Sequence, residues 1–164
     1  MKIAIVSGND EGPTELNAFD NALTKAGIGD VNLIKVSSML AGNAKVEKLP
    51  ELKAGSMVNC VLSTVTSKNK GDEITAVVAV AIGKELGCVV ETTGINQSKE
   101  DIKNEAIFMV KYMMEKRNVE IEDLIVEEAS HTVEKVGSVV ASVVYLNDDI
   151  IKWGDSKWMK KKKQ

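Results

Sequence analysis

Aromatic residues make up 4% of this 164-residue chain, which also has only two prolines, two cysteines and one histidine. With so few rings, the core must be built from Val, Ile, Leu, Ala and Met, and the many Val and Ile residues favour strands. Cys60 and Cys88 lie far apart in apolar stretches and lack metal-ligand spacing. One His and two distant Cys cannot assemble a metal site, so no metal is expected. The two thiols read as buried groups in a reducing compartment. No apolar run reaches membrane-spanning length, and Met1-Lys2-Ile3-Ala4-Ile5-Val6 is too short an apolar stretch for a secretory signal. A cytoplasmic protein with no membrane partner is therefore expected. An excess of positive charge is missing too. The formal net charge is −3, which gives no electrostatic footprint for nucleic acid over the body of the chain. The exception is the lysine-rich end, Lys157 to Gln164, and residues 147–164 are expected to form a flexible, solvated tail.

What is present is ordinary for a globular domain: 44% hydrophobic and 27% charged residues. The length suits one domain with a real core, placed at residues 1–146. Lys2 to Ser7 reads as a strand and Gly8 to Pro13 as the loop that ends it. A helix starts near Thr14, an N-cap, and stops at Gly27. Its stripe of Leu16, Phe19, Ala22, Leu23 and Ala26 predicts one buried face, with Asp20 half-buried at the edge. Val31 to Val36 is a second strand. Met39 to Gly55 reads as extended loop with a short strand around Lys45 to Glu47, and Met57 to Val65 as a strong strand.

In Glu73 to Ile82, the residues Ile74, Ala76, Val78, Val80 and Ile82 share one face at period two, and Thr75, Val77, Ala79 and Ala81 share the other. Two apolar faces suggest a strand between two layers, although the Ala-rich run also suits a helix. Gly87 to Thr92 is a further strand carrying Glu91. Ser98 caps the longest helix, whose buried side is Ile102, Ala106, Met109, Val110, Met113 and Met114. Leu124 to Val126, Ser130 to Glu134 and Ser138 to Leu146 complete six or seven strands. The fold class is α+β: a four-layer αββα sandwich of two stacked, mainly antiparallel sheets, which buries the two-faced strand.

A nucleotide-binding reading fails. Ser7-Gly8-Asn9-Asp10-Glu11-Gly12 lacks the dinucleotide glycine spacing and puts two acids where phosphates would sit. Gly27-Ile28-Gly29 follows a helix and precedes a strand, the reverse of a phosphate loop.

The second strand ends in Ser37-Ser38. A serine hydroxyl can attack the preceding carbonyl and turn the amide into an ester. The step needs local strain and a donor for the transient oxyanion. The stretch LNAFDNALTKAGIGDVNLIKVSS (residues 16–38) is joined by Gly71-Asp72-Glu73-Ile74, Gly87-Cys88-Val89-Val90-Glu91-Thr92 and His131-Thr132-Val133-Glu134-Lys135. Together they resemble the pyruvoyl-dependent arginine decarboxylases, over about Asn9 to Leu146.

The resemblance implies the same αββα sandwich and self-cleavage between Ser37 and Ser38 into residues 1–37 and 38–164. Ser38 would become a covalent pyruvoyl cofactor that forms a Schiff base with L-arginine, giving agmatine and CO2 for polyamine biosynthesis. It also implies that Asn32 assists self-processing, that Asp20 receives the guanidinium, and that Glu91 donates a proton to the α-carbon. Trimers of cleaved protomers are implied, with Asp20 and Ser38 meeting Glu91 across an interface. His131 has no catalytic role in this reading; it is expected as a satisfied strand residue. Family members often carry a proline soon after the serine pair, where this chain has Met39-Leu40-Ala41-Gly42. The alternatives are an unprocessed paralogue that binds an amino acid or polyamine without chemistry, and the same chemistry on a different amino acid.

Overall fold

The computed structural model describes residues 1–153. The described elements are β1 (Lys2–Glu11), α1 (Glu15–Lys25), β2 (Asn32–Lys35), β3 (Met39–Ala41), β4 (Lys45–Val46), β5 (Met57–Ser67), β6 (Glu73–Ile82), β7 (Leu86–Ile95), α2 (Lys99–Lys116), β8 (Asp123–Thr132) and β9 (Gly137–Leu146). They form a five-stranded sheet of order β2-β5-β9-β1-β4 and a four-stranded sheet of order β3-β7-β6-β8. Only β1–β4 and β2–β5 pair in parallel. The class is the expected α+β sandwich of two stacked, mainly antiparallel sheets.

Three apolar layers explain the stacking. Ile3, Val61, Val139, Ala141 and Val143 of the first sheet meet Ile74, Val78, Val80 and Val89 of the second. Beneath α1 lie Ala4, Val58, Cys60, Val140 and Val144; beneath α2 lie Val77, Ala79, Cys88 and Val90. β6 is a strand, with both faces divided as its period-two pattern requires: the Ile74 face joins the inter-sheet layer, and Val77, Ala79 and Ala81 lie under α2. β9 is buried on both faces in the same way.

Several boundaries differ from expectation, each for a tertiary reason. Residues 8–11 are strand rather than loop, because β9 supplies a partner for every residue of β1 down to Glu11↔Gly137. The two short strands expected around 124–134 are one, β8, held along its whole length by β6. Met39–Ala41 is a strand because β7 pairs with it. In α1 the buried face is Ala18, Ala22 and Leu23, while Leu16 is 74% exposed. The cause is close approach to Gly8, where a Cβ would stand 2.5 Å from the Ala22 carbonyl oxygen and 2.8 Å from the Ala26 nitrogen. Packing small residues on glycine centres the buried stripe on the alanines and turns Leu16 and Asp20 outward.

The chain stays packed beyond Leu146. Ile150 is buried, Ile151 bridges Leu52, and the Lys152 nitrogen donates to the Glu51 carbonyl at 2.8 Å. The rest of the tail, residues 154–164, lies outside the described residues. Neither described helix is long and apolar enough to cross a membrane.

Candidate active site

Ser37 and Ser38 lie where the chain leaves one sheet for the other. Upstream, the Val36 nitrogen donates to the Cys60 carbonyl of β5 at 3.0 Å. Downstream, the Ser38 carbonyl accepts from the Val89 nitrogen of β7 at 3.0 Å, and Met39 pairs with Cys88. Ser38 has φ 78°. Among the described residues, the other non-glycine positions with positive φ are Asn43, Asn96 and Asn118, and asparagine tolerates that region. Serine does not, so the strain sits at this residue. The Ser38 hydroxyl lies 2.5 Å from the Ser37 carbonyl oxygen, against the bond it would attack. A strained peptide with its own nucleophile beside it fits the precursor of a pyruvoyl group.

Glu91 lies on β7, two residues along from Val89. Val89 belongs to the inter-sheet layer, and Cys88 and Val90 to the layer under α2. Strand alternation therefore turns Glu91 toward the sheet that carries Ser37, with its side chain exposed. Diagonal neighbours on adjacent strands have Cα atoms about 7–8 Å apart, so one chain brings Glu91 and Ser38 to the same sheet edge.

Asn32 is elsewhere. Its Nδ2 donates to the Gly55 carbonyl at 3.0 Å, at the start of β2. Val36 is still paired to β5, so at about 3.3 Å per residue the strand alone spans roughly 13 Å from Asn32 to Val36. Within one chain Asn32 does not meet the Ser37–Ser38 bond. Asp20 is exposed on α1, one turn after exposed Leu16 and on the same face.

A groove of about 450 Å³ lies between α1 and β5, lined by Glu15, Leu16, Phe19, Lys35, Leu62, Thr64, Val65 and Thr66. It exists because β2 pairs with β5 only as far as Lys35↔Cys60, so that among the described residues no strand lies beside the later half of that β5 edge. The groove begins at Lys35, two residues from Ser37. Sequence reasoning named none of these wall residues as part of a site, and placed Leu16 and Phe19 only in the buried stripe of the first helix. The only signal for Leu16 was its four-residue spacing from Asp20.

The sequence model of the pyruvoyl-dependent arginine decarboxylases matches residues 2–150. A pyruvoyl-dependent arginine decarboxylase of Methanothermobacter thermautotrophicus is 60% identical over 147 residues, covering 90% of this chain and 97% of that protein. One of Methanocaldococcus jannaschii is 37% identical over 143 residues, covering 85% and 86%. One of Pyrococcus furiosus is 36% identical over 154 residues, covering 87% and 93%. This chain belongs to the pyruvoyl-dependent arginine decarboxylase family. The match runs past Leu146 to residue 150, the stretch that buries Ile150 against the first sheet's outer layer.

The rest of the resemblance to these decarboxylases is structural support. His131 Nε2 donates to Glu11 Oε2 at 2.7 Å, while the Lys135 and Glu134 amides donate to Oε1 at 2.6 and 3.2 Å. Burial pushes the Glu11 carboxyl up, but the Lys135 amide and His131 outweigh it and hold the group below the usual carboxylate value. Asp72 of the Gly71-Asp72 block accepts from Ser67, Asn69 and Asn96, tying the β5–β6 turn to the turn before α2. Both clusters close turns, and neither touches Ser38.

Proposed function

We propose that this chain cleaves itself between Ser37 and Ser38 into residues 1–37 and 38–164, converts Ser38 into a pyruvoyl group, and decarboxylates L-arginine to agmatine. Agmatine would feed polyamine synthesis. The carrying observation is Ser38 at φ 78° with its hydroxyl 2.5 Å from the Ser37 carbonyl oxygen. Once made, the ketone supplies a covalent electron sink for an amine substrate.

The chain's own residues have the remaining tasks. Asp20 pairs with the guanidinium, a planar fork that a carboxylate binds through two parallel hydrogen bonds. Leu16, Phe19, Leu62 and Val65 wall the groove for the methylene stem and keep water away. Glu91 holds the proton returned to the α-carbon, and its exposed side chain would be covered by a neighbouring copy. A homotrimer with sites between neighbours supplies that cover. The bare edge of β5 and the exposed Leu16, Ile34 and Met57 support such contacts. Asn32 then serves the oxyanion of a neighbouring copy rather than its own. The buried free thiols Cys60 and Cys88 support a reducing, cytoplasmic setting.

The test is intact mass under denaturing conditions with a carbonyl-reactive tag, followed by CO2 release across an amino-acid panel. Fragments of 37 and 127 residues, the larger one tagged, with turnover of arginine, are expected. A whole, ketone-free chain after long incubation would point instead to a non-enzymatic binding paralogue. Turnover of another amino acid would keep the chemistry and move the substrate.

A further inference from the structure

The residue after Ser38 is held from the opposite sheet. Tyr145 of β9 donates its hydroxyl to the Met39 carbonyl at 2.7 Å, and its ring packs against the inter-sheet layer. β9 lies in the five-stranded sheet and β3 in the four-stranded one, so this bond crosses the sandwich. Val36 is tied to Cys60 in the first sheet and Ser38 to Val89 in the second. Four residues, Val36 to Met39, therefore carry ties to both sheets, with the scissile bond between them. A positive φ at a residue with a Cβ persists only where its surroundings over-determine it. Hydrogen bonding to both sheets does that holding here.

From this we infer that Tyr145 is a positioning residue for self-cleavage: through the Met39 carbonyl it holds the Ser37–Ser38 peptide in the conformation from which the Ser38 hydroxyl attacks. The inference rests on the self-cleaving reading above. In that reaction Ser38 Oγ bonds to the Ser37 carbonyl carbon, the C–N bond breaks, and the hydroxyl proton passes to the nitrogen. Elimination then removes the Ser38 Cα proton and breaks the Cβ–Oγ bond, which releases the Ser37 carboxylate. One water hydrolyses the remaining enamine to the ketone and ammonia. Met39 and its carbonyl stay on the retained fragment throughout, so the Tyr145 bond also anchors the new chain end. Burial, with Cys60 nearby, pushes the Tyr145 phenol up, which keeps it a donor at neutral pH.

Tyr145→Phe removes one oxygen and leaves the ring. Cleavage followed by intact mass should slow about tenfold, the scale of one lost hydrogen bond. Two controls separate positioning from stability. Val143→Ala thins the same inter-sheet layer and should lower the melting temperature while cleaving at the wild-type rate. Hydroxylamine cuts the ester wherever it forms, leaving Ser38 with a free amine, and should release less of this fragment from Tyr145→Phe than from wild type. Equal cleavage of Tyr145→Phe and wild type would overturn the inference alone. So would slowing of Val143→Ala to the same degree, or undiminished hydroxylamine scission of Tyr145→Phe. A wild-type chain that stays whole would overturn the self-cleaving reading and this inference with it.

Discussion

Ser38 and Glu11 show two ways in which one residue matters. Ser38 sits in a costly backbone conformation that does nothing for stability, at a sheet crossing where neighbours hold it. Glu11 does the reverse, closing the β8–β9 turn with three hydrogen bonds. Glu11→Gln should cost about 2 kcal/mol at neutral pH, as charge-assisted bonds weaken to neutral ones. The folded chain holds the Glu11 proton less tightly than the unfolded chain does, so this stabilisation is complete above the unfolded value of about 4.3. It is lost as pH falls through the lower folded value. Urea unfolding of both chains should therefore show a gap at pH 7 that closes toward pH 3.

In the proposed reaction, Asp20 and Glu91 divide binding from chemistry. Asp20→Ala should raise KM for arginine about tenfold to a hundredfold, the worth of a charged hydrogen-bonded pair. Glu91→Gln should instead lower kcat about a hundredfold with KM little changed, the usual share of a positioned acid. Steady-state kinetics on the cleaved enzyme separates the two.

Elements here are decided as much by partners as by propensity. The strand of β6 was legible only in part: period two put apolar residues on both faces, but the Ala-rich run also suited a helix until pairing with β7 and β8 decided it. The extension of β1 through Gly8 to Glu11 was not legible, since glycine, aspartate and asparagine signal a loop and only pairing with β9 overrides them. The exposure of Leu16 was likewise hidden. Helical spacing counts apolar residues equally, whereas the real contact is chosen by how closely Ala22 and Ala26 can approach Gly8 in β1 and Ala18 can approach Gly12 just beyond it. Gly8→Ala should show this directly. Its Cβ meets backbone atoms of α1, which cannot rotate away, so overpacking should cost about 1–3 kcal/mol in chemical unfolding. The displaced helix should also carry Asp20 out of place and weaken arginine binding.

Across the whole molecule, the candidate site is spread over both sheets and α1. Within one chain, Glu91 lies beside the serine pair, while Asn32 stands at the far end of β2. Co-expression tests whether Asn32 acts between copies. Asn32→Ala and Ser38→Ala chains should each stay whole alone. Expressed together, they should yield the 37-residue fragment from the Asn32→Ala chain, found by mass, if the intact asparagine of its neighbour serves the bond. Continued absence of that fragment in co-purified mixed assemblies would put Asn32 back to holding the Gly55 turn.

The serine pair and the acids at positions 20 and 91 stood out as a site only through the family resemblance, while the helix starts at Thr14 and Ser98 and the two apolar faces of β6 were written in local residue patterns. Such features depend on chemistry and periodicity over a few neighbours, which a chain carries without folding. The tertiary structure alone decided that Ser38 is strained, that Tyr145 reaches Met39, that Leu16 faces outward and that Asn32 is remote from the scissile bond. Each of these depends on which strand ends where and which sheet lies opposite. Residues distant in sequence, as Met39 and Tyr145 are, set those positions together, and no local pattern encodes them.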